Sequence, residues 1–165
     1  DGARKTCAAV GALTSRRAPV YAHADPLGRE RAYSLGAAPP AGWTSHGVAF
    51  YAYPSFMGNT VPIHELVRYV GAEREYTRRS TPLNSAWQYE AVAFHAHSEP
   101  VVGRVPTVPI YEHRRYMWPV REYTMRPTPL DAGWHTVGVA FHAYASMDDP
   151  VADVSFLLDG RYSDA

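Results

Sequence analysis

The sequence has very little cysteine and no excess of charge of either sign. Cys7 is the single cysteine among the 165 residues, which excludes an intrachain disulfide and a paired-cysteine metal site. The 16 basic residues are matched by 16 acidic ones, so the formal net charge is zero. Because a neutral chain has no global field to attract nucleic acid or an anionic membrane surface, we expect neither as a partner.

Long hydrophobic runs and catalytic signatures are also missing. No apolar stretch approaches the roughly 20 residues of a membrane-spanning helix, and no apolar stripe of helix length recurs every 3.6 residues or so. The chain contains neither a Gly-x-Ser-x-Gly turn nor a His-Glu-x-x-His motif, which are common settings of a serine nucleophile and a catalytic zinc ion. We therefore expect no membrane insertion, no cofactor, no enzymatic activity and no catalytic residue.

The chain is rich in turn residues, and it carries one motif three times. Its 14 prolines and 12 glycines are typical of many short strands. Each copy of the motif places a tryptophan shortly before an alternating strand, and these strands are 48–53, 92–97 and 139–144. In the first copy Val48 and Phe50 lie on one side and Ala49 and Tyr51 on the other. Because a short strand cannot bury its apolar side alone, we expect the copies to pack together.

These copies define three units within a single domain, residues 1–165. The predicted parts are an N-terminal strand in 1–18, unit 1 (19–61), unit 2 (62–108), unit 3 (109–153) and a closing strand in 154–165. Each unit opens with a proline, which suits the start of a strand because proline lacks a backbone donor. Residues 154–158 repeat the opening strand, and we expect them to pair with residues 7–10, which leaves no open edge. The pattern predicts an all-β, pseudo-threefold closed architecture similar to a β-trefoil, with a small β-propeller or another pseudo-symmetric barrel as the alternative.

From Pro19 to Tyr53 the order of residues is a strand, Asp25-Pro26, Gly28, Arg31-x-Tyr33-Ser34, Gly42-Trp43 and Val48-Ala49-Phe50-Tyr51. This order resembles a repeat of roughly 40 residues and unknown function, found in secreted bacterial and fungal proteins, whose pattern runs YR-YN-P-x-G-x-HFYT and then GW-x-x-EGIAFYV. The family's histidine before FYT is replaced here by arginine in all three units. The resemblance implies an extracellular or cell-surface location and a carbohydrate-targeting role beside secreted hydrolases.

Two sets of side chains are candidate ligand-binding residues. The first is an Arg-x-Tyr pair in the second strand of each unit, where a guanidinium and a phenol lie on one face. The pairs are Arg31 with Tyr33, Arg74 with Tyr76 and Arg121 with Tyr123. The second set occupies equivalent positions of the three alternating strands and consists of Tyr51, His95 and His142. The competing interpretation of the first set is structural, with each arginine packed on an aromatic ring.

The first histidine strand also contains His97, but His95-x-His97 lacks a third zinc ligand at a useful spacing, so no metal site is predicted. Aromatic rings can take the apolar side of a pyranose, while arginine and histidine bind its hydroxyls. We therefore predict a lectin-like, carbohydrate-binding module with up to three equivalent sites for glycans, and oligomers are possible. The alternative is a protein-interaction or protease-inhibitor domain on a rigid β scaffold, which would need one loop, such as Val101–Thr107, that departs from its siblings.

Overall fold

The computed structural model describes residues 16–70 and 73–147, and within them the chain is all-β. The nine strands are β1 (Ala18–Ala24), β2 (Arg31–Ser34), β3 (Thr44–Ala52), β4 (Val61–Arg68), β5 (Arg74–Thr77), β6 (Trp87–Ala96), β7 (Val108–Arg115), β8 (Arg121–Thr124) and β9 (Trp134–Ala143). Over these described ranges no helix has the length and apolar character needed to span a membrane. The predicted all-β class is confirmed.

The strands form three similar three-stranded antiparallel sheets, one from each unit. Their orders are β2-β1-β3, β5-β4-β6 and β8-β7-β9, so the first strand of each unit is always central. Pro19, Pro62 and Pro109 are each the second residue of that central strand. In unit 1 the short β2 pairs only as far as Tyr21, so Pro19 lies beyond this pairing and needs no donor on that side.

Two layers of aromatic side chains, with three residues in each layer, join the three sheets in a common core. Phe50, Phe94 and Phe141 contact one another edge to face, with 5.6 Å between each pair of ring centroids. Next to them the three tyrosines of the Arg-x-Tyr pairs also contact one another edge to face, at 5.3 to 5.5 Å. Each unit contributes one ring to each layer, which is the packing expected of three copies that share one core.

The tyrosine layer is also a closed cycle of hydrogen bonds. The Tyr33 amide donates to the Tyr76 hydroxyl at 2.8 Å, the Tyr76 amide to the Tyr123 hydroxyl at 2.9 Å, and the Tyr123 amide to the Tyr33 hydroxyl at 2.9 Å. Each unit thus satisfies a buried backbone donor of another unit. The sheets are held to one another by directional bonds as well as by apolar packing.

A third layer closes the other end of the core. There Tyr53, His97 and Tyr144 lie with their ring centroids 5.6 to 6.3 Å apart, and His97 Nε2 lies 3.0 Å from the Tyr144 hydroxyl. The backbones at this end form isolated bridges between the units. The bridges pair Tyr51 with Tyr144, Tyr53 with His95 and His97 with His142.

In the part of the chain that the structure describes, the strands make three separate sheets and no sheet closes on itself. The β-trefoil-like closure is therefore not confirmed and stays a prediction. Its terminal strands, at residues 1–18 and 154–165, lie almost wholly outside the described residues, as does the pairing of 154–158 with 7–10. The repeated tryptophans flank the core and do not fill it, since the aromatic layers consist of phenylalanine, tyrosine and one histidine.

Candidate functional site

The structure brings each predicted Arg-x-Tyr pair to a junction between two units. The tyrosines face the common core and are 1 to 2% exposed. Burial raises the pKa of Tyr33 to about 12 and raises the pKa values of Tyr76 and Tyr123 well above the usual range. The phenols are therefore neutral hydrogen-bonding groups at any physiological pH. Only the arginines extend outwards, with side-chain exposures of 20% for Arg31, 25% for Arg74 and 12% for Arg121.

At the Arg74 junction, where units 1 and 2 meet, two glutamates hold the arginine. Arg74 Nε donates to Glu30 Oε1 of unit 1 at 2.7 Å, and its Nη1 donates to Glu65 Oε1 of unit 2. The Tyr76 hydroxyl donates to the same Glu65 oxygen at 3.3 Å. Arginine, tyrosine and glutamate together form a compact bonded group. This role is structural, but it rests on carboxylates and not on the predicted packing of the arginine on an aromatic ring.

The Arg121 junction, where units 2 and 3 meet, repeats this arrangement. Arg121 Nε donates to Glu73 Oε1 of unit 2 at 2.8 Å, and Nη1 donates to Glu112 Oε1 of unit 3 at 2.8 Å. The Tyr123 hydroxyl donates to the same Glu112 oxygen at 2.6 Å. The guanidinium also lies over the ring of Trp87, 5.4 Å from its centroid. Coulombic attraction to Glu112 raises the pKa of Arg121 although burial alone would lower it.

The Arg31 junction, where units 3 and 1 meet, lacks both glutamates. Ala22 pairs with Tyr33 in the register in which Glu65 pairs with Tyr76 and Glu112 with Tyr123, so alanine stands in place of the glutamate. Val120 precedes Arg121 as Glu30 precedes Arg31 and Glu73 precedes Arg74. Among the described residues, the ion pair at this junction joins Arg31 Nη1 to Glu122 Oε1 at 3.7 Å, which exceeds hydrogen-bond range.

A cavity of about 210 Å³ opens at this third junction, and we call it the Arg31 cavity. Its polar lining includes Arg31, His46, Glu122 and Thr124, with apolar walls from Ala22, Val48, Ala49 and Leu130. Behind the guanidinium lies Trp134, whose ring centroid is 5.2 Å from the Arg31 Cζ atom. Because that contact fixes the guanidinium from one side, its remaining donors are oriented before any ligand arrives.

The second predicted set of site residues lies at the opposite end of the sheets. Tyr51, His95 and His142 pair with Pro19, Pro62 and Pro109, and their backbones carry the bridges between units. Their side chains are half-buried. Burial lowers the pKa values of His95 and His142, so both are neutral near pH 7. The structure does not bring this set together with the arginines.

A larger polar cavity, of about 390 Å³, was not predicted from the sequence. It is lined by Arg68, Arg114, Arg115, Tyr116, Pro119 and His135. The buried Glu73 carboxylate, whose side chain is 0% exposed, lies 3.3 Å from Arg114 Nε and 3.6 Å from Arg68 Nη1. Tyr116 and His135 stack at 4.6 Å beside it. Within residues 16–70 and 73–147, no group of three or more His, Cys, Asp or Glu could hold a metal ion.

The glutamates are what sequence reasoning missed. Glu65 and Glu112 precede their arginines by nine positions, and the corresponding residue in unit 1 is Ala22. An alignment of the three units reveals that difference, but it does not reveal that the arginine, the tyrosine and the glutamate of a unit contact one another.

Neither curated proteins nor solved structures gave a match to this chain. A family model described as a domain of unknown function, DUF5648, matches residues 12–97, which is just over half of the chain and covers unit 1 and most of unit 2. The three similar sheets fit a repeat. The chain therefore belongs to the DUF5648 family of domains of unknown function.

Proposed function

We propose that this domain is a non-catalytic, lectin-like module that binds carbohydrate in the Arg31 cavity. One observation carries the proposal: beside Arg31 and Tyr33 the position of the sibling glutamates is occupied by Ala22, and a cavity opens there. At the other two junctions, Glu65 binds Arg74 and Glu112 binds Arg121. We therefore propose one principal site per domain in place of three equivalent ones.

The lining of the Arg31 cavity suits a sugar. The Arg31 guanidinium, the His46 ring and the Thr124 hydroxyl can bind hydroxyl oxygens, and Glu122 can accept from hydroxyl hydrogens. Val48 and Leu130 offer an apolar wall to the carbon-bound face of a pyranose. The volume of about 210 Å³ lies below the roughly 300 to 1,000 Å³ of pockets for drug-sized ligands, which favours a single sugar ring.

A glycan array with the intact protein tests this function, with Arg31→Gln and Arg74→Gln as a matched pair of variants. We expect Arg31→Gln to lose glycan binding and keep its fold, because the nearest carboxylate that the structure describes, Glu122, is 3.7 Å from the guanidinium, beyond hydrogen-bond range. Arg74→Gln should lower the melting temperature and keep binding, since Glu30 and Glu65 would lose their partner. Binding that depends on Arg74 and not on Arg31 would contradict the proposal.

The second candidate function is protein interaction through the hairpin tip of unit 3. Tyr116, Met117 and Trp118 are 68, 74 and 57% exposed there, and Trp118 has φ of 84°, a region that costs a bulky residue energy. The sequence of this tip, Tyr116-Met117-Trp118, differs from the tips of units 1 and 2, as the sequence of an inhibitor or docking loop would. Sedimentation of wild type and Met117→Ser over a range of concentrations tests self-association at this tip. A monomer at every concentration would argue against a second copy as the partner.

The proposal extends to the architecture and the location. The resemblance to the aromatic repeat of secreted proteins supports an extracellular or cell-surface place for the domain. For the architecture, we propose that the threefold fold is closed like a β-trefoil, with residues 154–158 paired with residues 7–10. Removing the last dozen residues should then lower the melting temperature by many degrees, and an unchanged melt would argue against closure.

A further inference from the structure

Two junctions of this molecule contain a carboxylate-binding site that the protein fills itself. At the Arg121 junction, the Glu112 Oε1 atom accepts from the Arg121 guanidinium at 2.8 Å and from the Tyr123 hydroxyl at 2.6 Å. Glu65 does the same with Arg74 and Tyr76. A charged donor and a neutral donor that converge on one oxygen define a position for a carboxylate. These two sites are a template for the third junction.

The Arg31 junction keeps the donors of that template. The Tyr123 amide donates to the Tyr33 hydroxyl at 2.9 Å, matching the 2.9 Å and 2.8 Å bonds to the other two phenols, so the Tyr33 oxygen occupies the equivalent place in the ring. The amide uses the oxygen as an acceptor, which leaves the hydroxyl hydrogen for an acceptor outside the backbone. Ala22 supplies no carboxylate to take it.

The vacant position can be reached from solvent. Side-chain exposure is 18% for Glu65 and 12% for Glu112, so the carboxylate position borders the surface in both sibling units. In unit 1 the shorter Ala22 leaves the Arg31 cavity in front of the donors. An external carboxylate can therefore approach Arg31 and Tyr33 without movement of the backbone.

The charges at the Arg31 junction favour an anion more than those at its siblings do. Arg74 and Arg121 each face two glutamates, whereas the equivalents of those glutamates at the third junction are Ala22 and Val120. Glu122 is the acidic residue that remains, and its Oε1 atom is closer to Arg126 Nη2, at 3.0 Å, than to Arg31 Nη1, at 3.7 Å. Arg31 thus shares one carboxylate with Arg126 at a longer distance, whereas Arg74 and Arg121 each hydrogen-bond to two glutamates.

We propose that the Arg31 cavity is a carboxylate site and that its ligand is an acidic monosaccharide of the hexuronic acid class, at the end of or within a glycan. The carboxylate takes the position that Glu65 and Glu112 fill in the other units and accepts from Arg31 and Tyr33. The pyranose ring then lies against Val48 and Leu130. The choice of a sugar rests on the proposed carbohydrate function, whereas the carboxylate site rests on the template.

Titration of the intact protein with sodium glucuronate, methyl glucoside and sodium acetate, followed by amide chemical shifts, tests the two parts separately. We expect glucuronate to bind at least about tenfold more tightly than methyl glucoside, since a charge-assisted bond is lost without the carboxylate. Equal binding of glucuronate and methyl glucoside would overturn the carboxylate site and leave carbohydrate binding standing. Equal binding of acetate and glucuronate would support the carboxylate site and overturn the carbohydrate function.

Ala22→Glu is the sharpest variant, because it copies what the sibling units contain. We expect it to raise the melting temperature, as the new side chain pairs with Arg31 and Tyr33, and to reduce glucuronate affinity by about tenfold or more. Ala22→Gln is the matched control of nearly equal size, which fills space without the charge and should leave more of the binding. Unchanged glucuronate binding in Ala22→Glu would overturn the proposal.

The reverse change should create a second site. Glu112→Ala leaves the Arg121 and Tyr123 donors without their acceptor, so glucuronate stoichiometry should rise from one to two per chain. Added acetate should restore part of the lost melting temperature, which the exposed Glu90→Ala control would not show. If Glu112→Ala fails to fold, Glu65→Ala offers the same test at the Arg74 junction. A folded variant that still binds one ligand, with no rescue by acetate, would contradict the template.

Discussion

The Arg121 and Arg31 junctions use the same arginine and the same buried tyrosine, but one is closed and the other is open. At the Arg121 junction two glutamates hold the guanidinium at 2.8 Å, and at the Arg31 junction the acidic neighbour Glu122 is 3.7 Å away. The aromatic core beneath is the same in both, as the tyrosine ring shows. A repeat fold can therefore keep its core and change a junction from a structural group to a cavity through two side chains.

The largest expected effect is at the closed junction and comes from Glu73→Val, which puts into unit 2 the residue that unit 3 has at this position. The Glu73 carboxylate has contacts to Arg121, Arg114 and Arg68, and its own side chain is 0% exposed. Breaking such a buried pair should lower the free energy of unfolding by about 3 kcal/mol, the lower part of the usual range, because Arg68 and Arg114 reach solvent. Chemical denaturation measures this.

Glu30→Val is the matched control for that change at the Arg74 junction. Glu30 has one arginine partner, at 2.7 Å, and its side chain is 16% exposed, so the loss should be about 1 kcal/mol. Equal losses for the two variants would show that the burial of Glu73 does not distinguish the junctions.

A smaller difference should separate Tyr123→Phe from Tyr33→Phe. Both variants leave a buried backbone amide without its acceptor, and Tyr123→Phe also removes the 2.6 Å bond to Glu112. We expect losses of about 3 kcal/mol for Tyr123→Phe and about 1 to 2 kcal/mol for Tyr33→Phe. Thermal and chemical denaturation of both variants check the order. A larger loss from Tyr33→Phe would contradict this prediction, because it would mean that the Tyr33 hydroxyl contributes more to stability than the Tyr123 hydroxyl does.

The smallest expected effect is a dependence of stability on pH. It comes from the layer of Tyr53, His97 and Tyr144 at the other end of the core, where His97 contacts both tyrosines. Burial lowers the pKa of His97, and the nearby Arg17 and His142 lower it further, against a hydrogen bond from the imidazole to the Asn59 backbone that raises it. Below the ordinary histidine pKa of about 6.5 the unfolded chain therefore binds a proton that the folded chain does not. Stability should fall as pH drops from 6.5 or so towards the lowered pKa and then level off.

Comparison of denaturation at several pH values between wild type and His97→Gln isolates this contribution. The decline in acid should be shallower in His97→Gln, whereas Tyr144→Phe should keep the decline because it removes the 3.0 Å neighbour and not the histidine. Identical slopes in wild type and His97→Gln would rule out His97 as the source.

The sequence was sufficient for the features that repeat. Alternation in the 48–53 strand and its copies predicted half-buried strands, and this holds from position 49 on, where Phe50 and Ala52 are buried. Val48, predicted on the same apolar side, is instead 42% exposed, because the pairing with β1 shifts register there. The spacing of the prolines predicted where the central strand of each sheet begins. It also predicted that Arg31 and Tyr33, and their equivalents, act as pairs. It was not sufficient for closure, which depends on terminal segments, and it did not predict that the tyrosines of these pairs lie buried in the common core.

The partners across junctions could not be predicted, and the reason is physical. Arg74 binds Glu30, which lies 44 positions earlier, and Arg121 binds Glu73, 48 positions earlier. Such contacts follow from how the sheets pack around the core, and no local period in the sequence encodes that arrangement. The substitution of Ala22 for glutamate was visible, but its meaning required knowing that the position faces both an arginine and a phenol.

The tyrosine cycle sets a minimum copy number for this kind of chain. Each amide in the cycle is paired with a phenol from a different unit, and three units complete the circuit. Two units alone would leave one buried amide and one phenol without a partner. A single unit would leave its one amide and its one phenol unpaired. A polypeptide with a single such repeat should therefore assemble as a homotrimer, and mixing different single repeats should give hetero-trimers whose junctions can be open or closed independently.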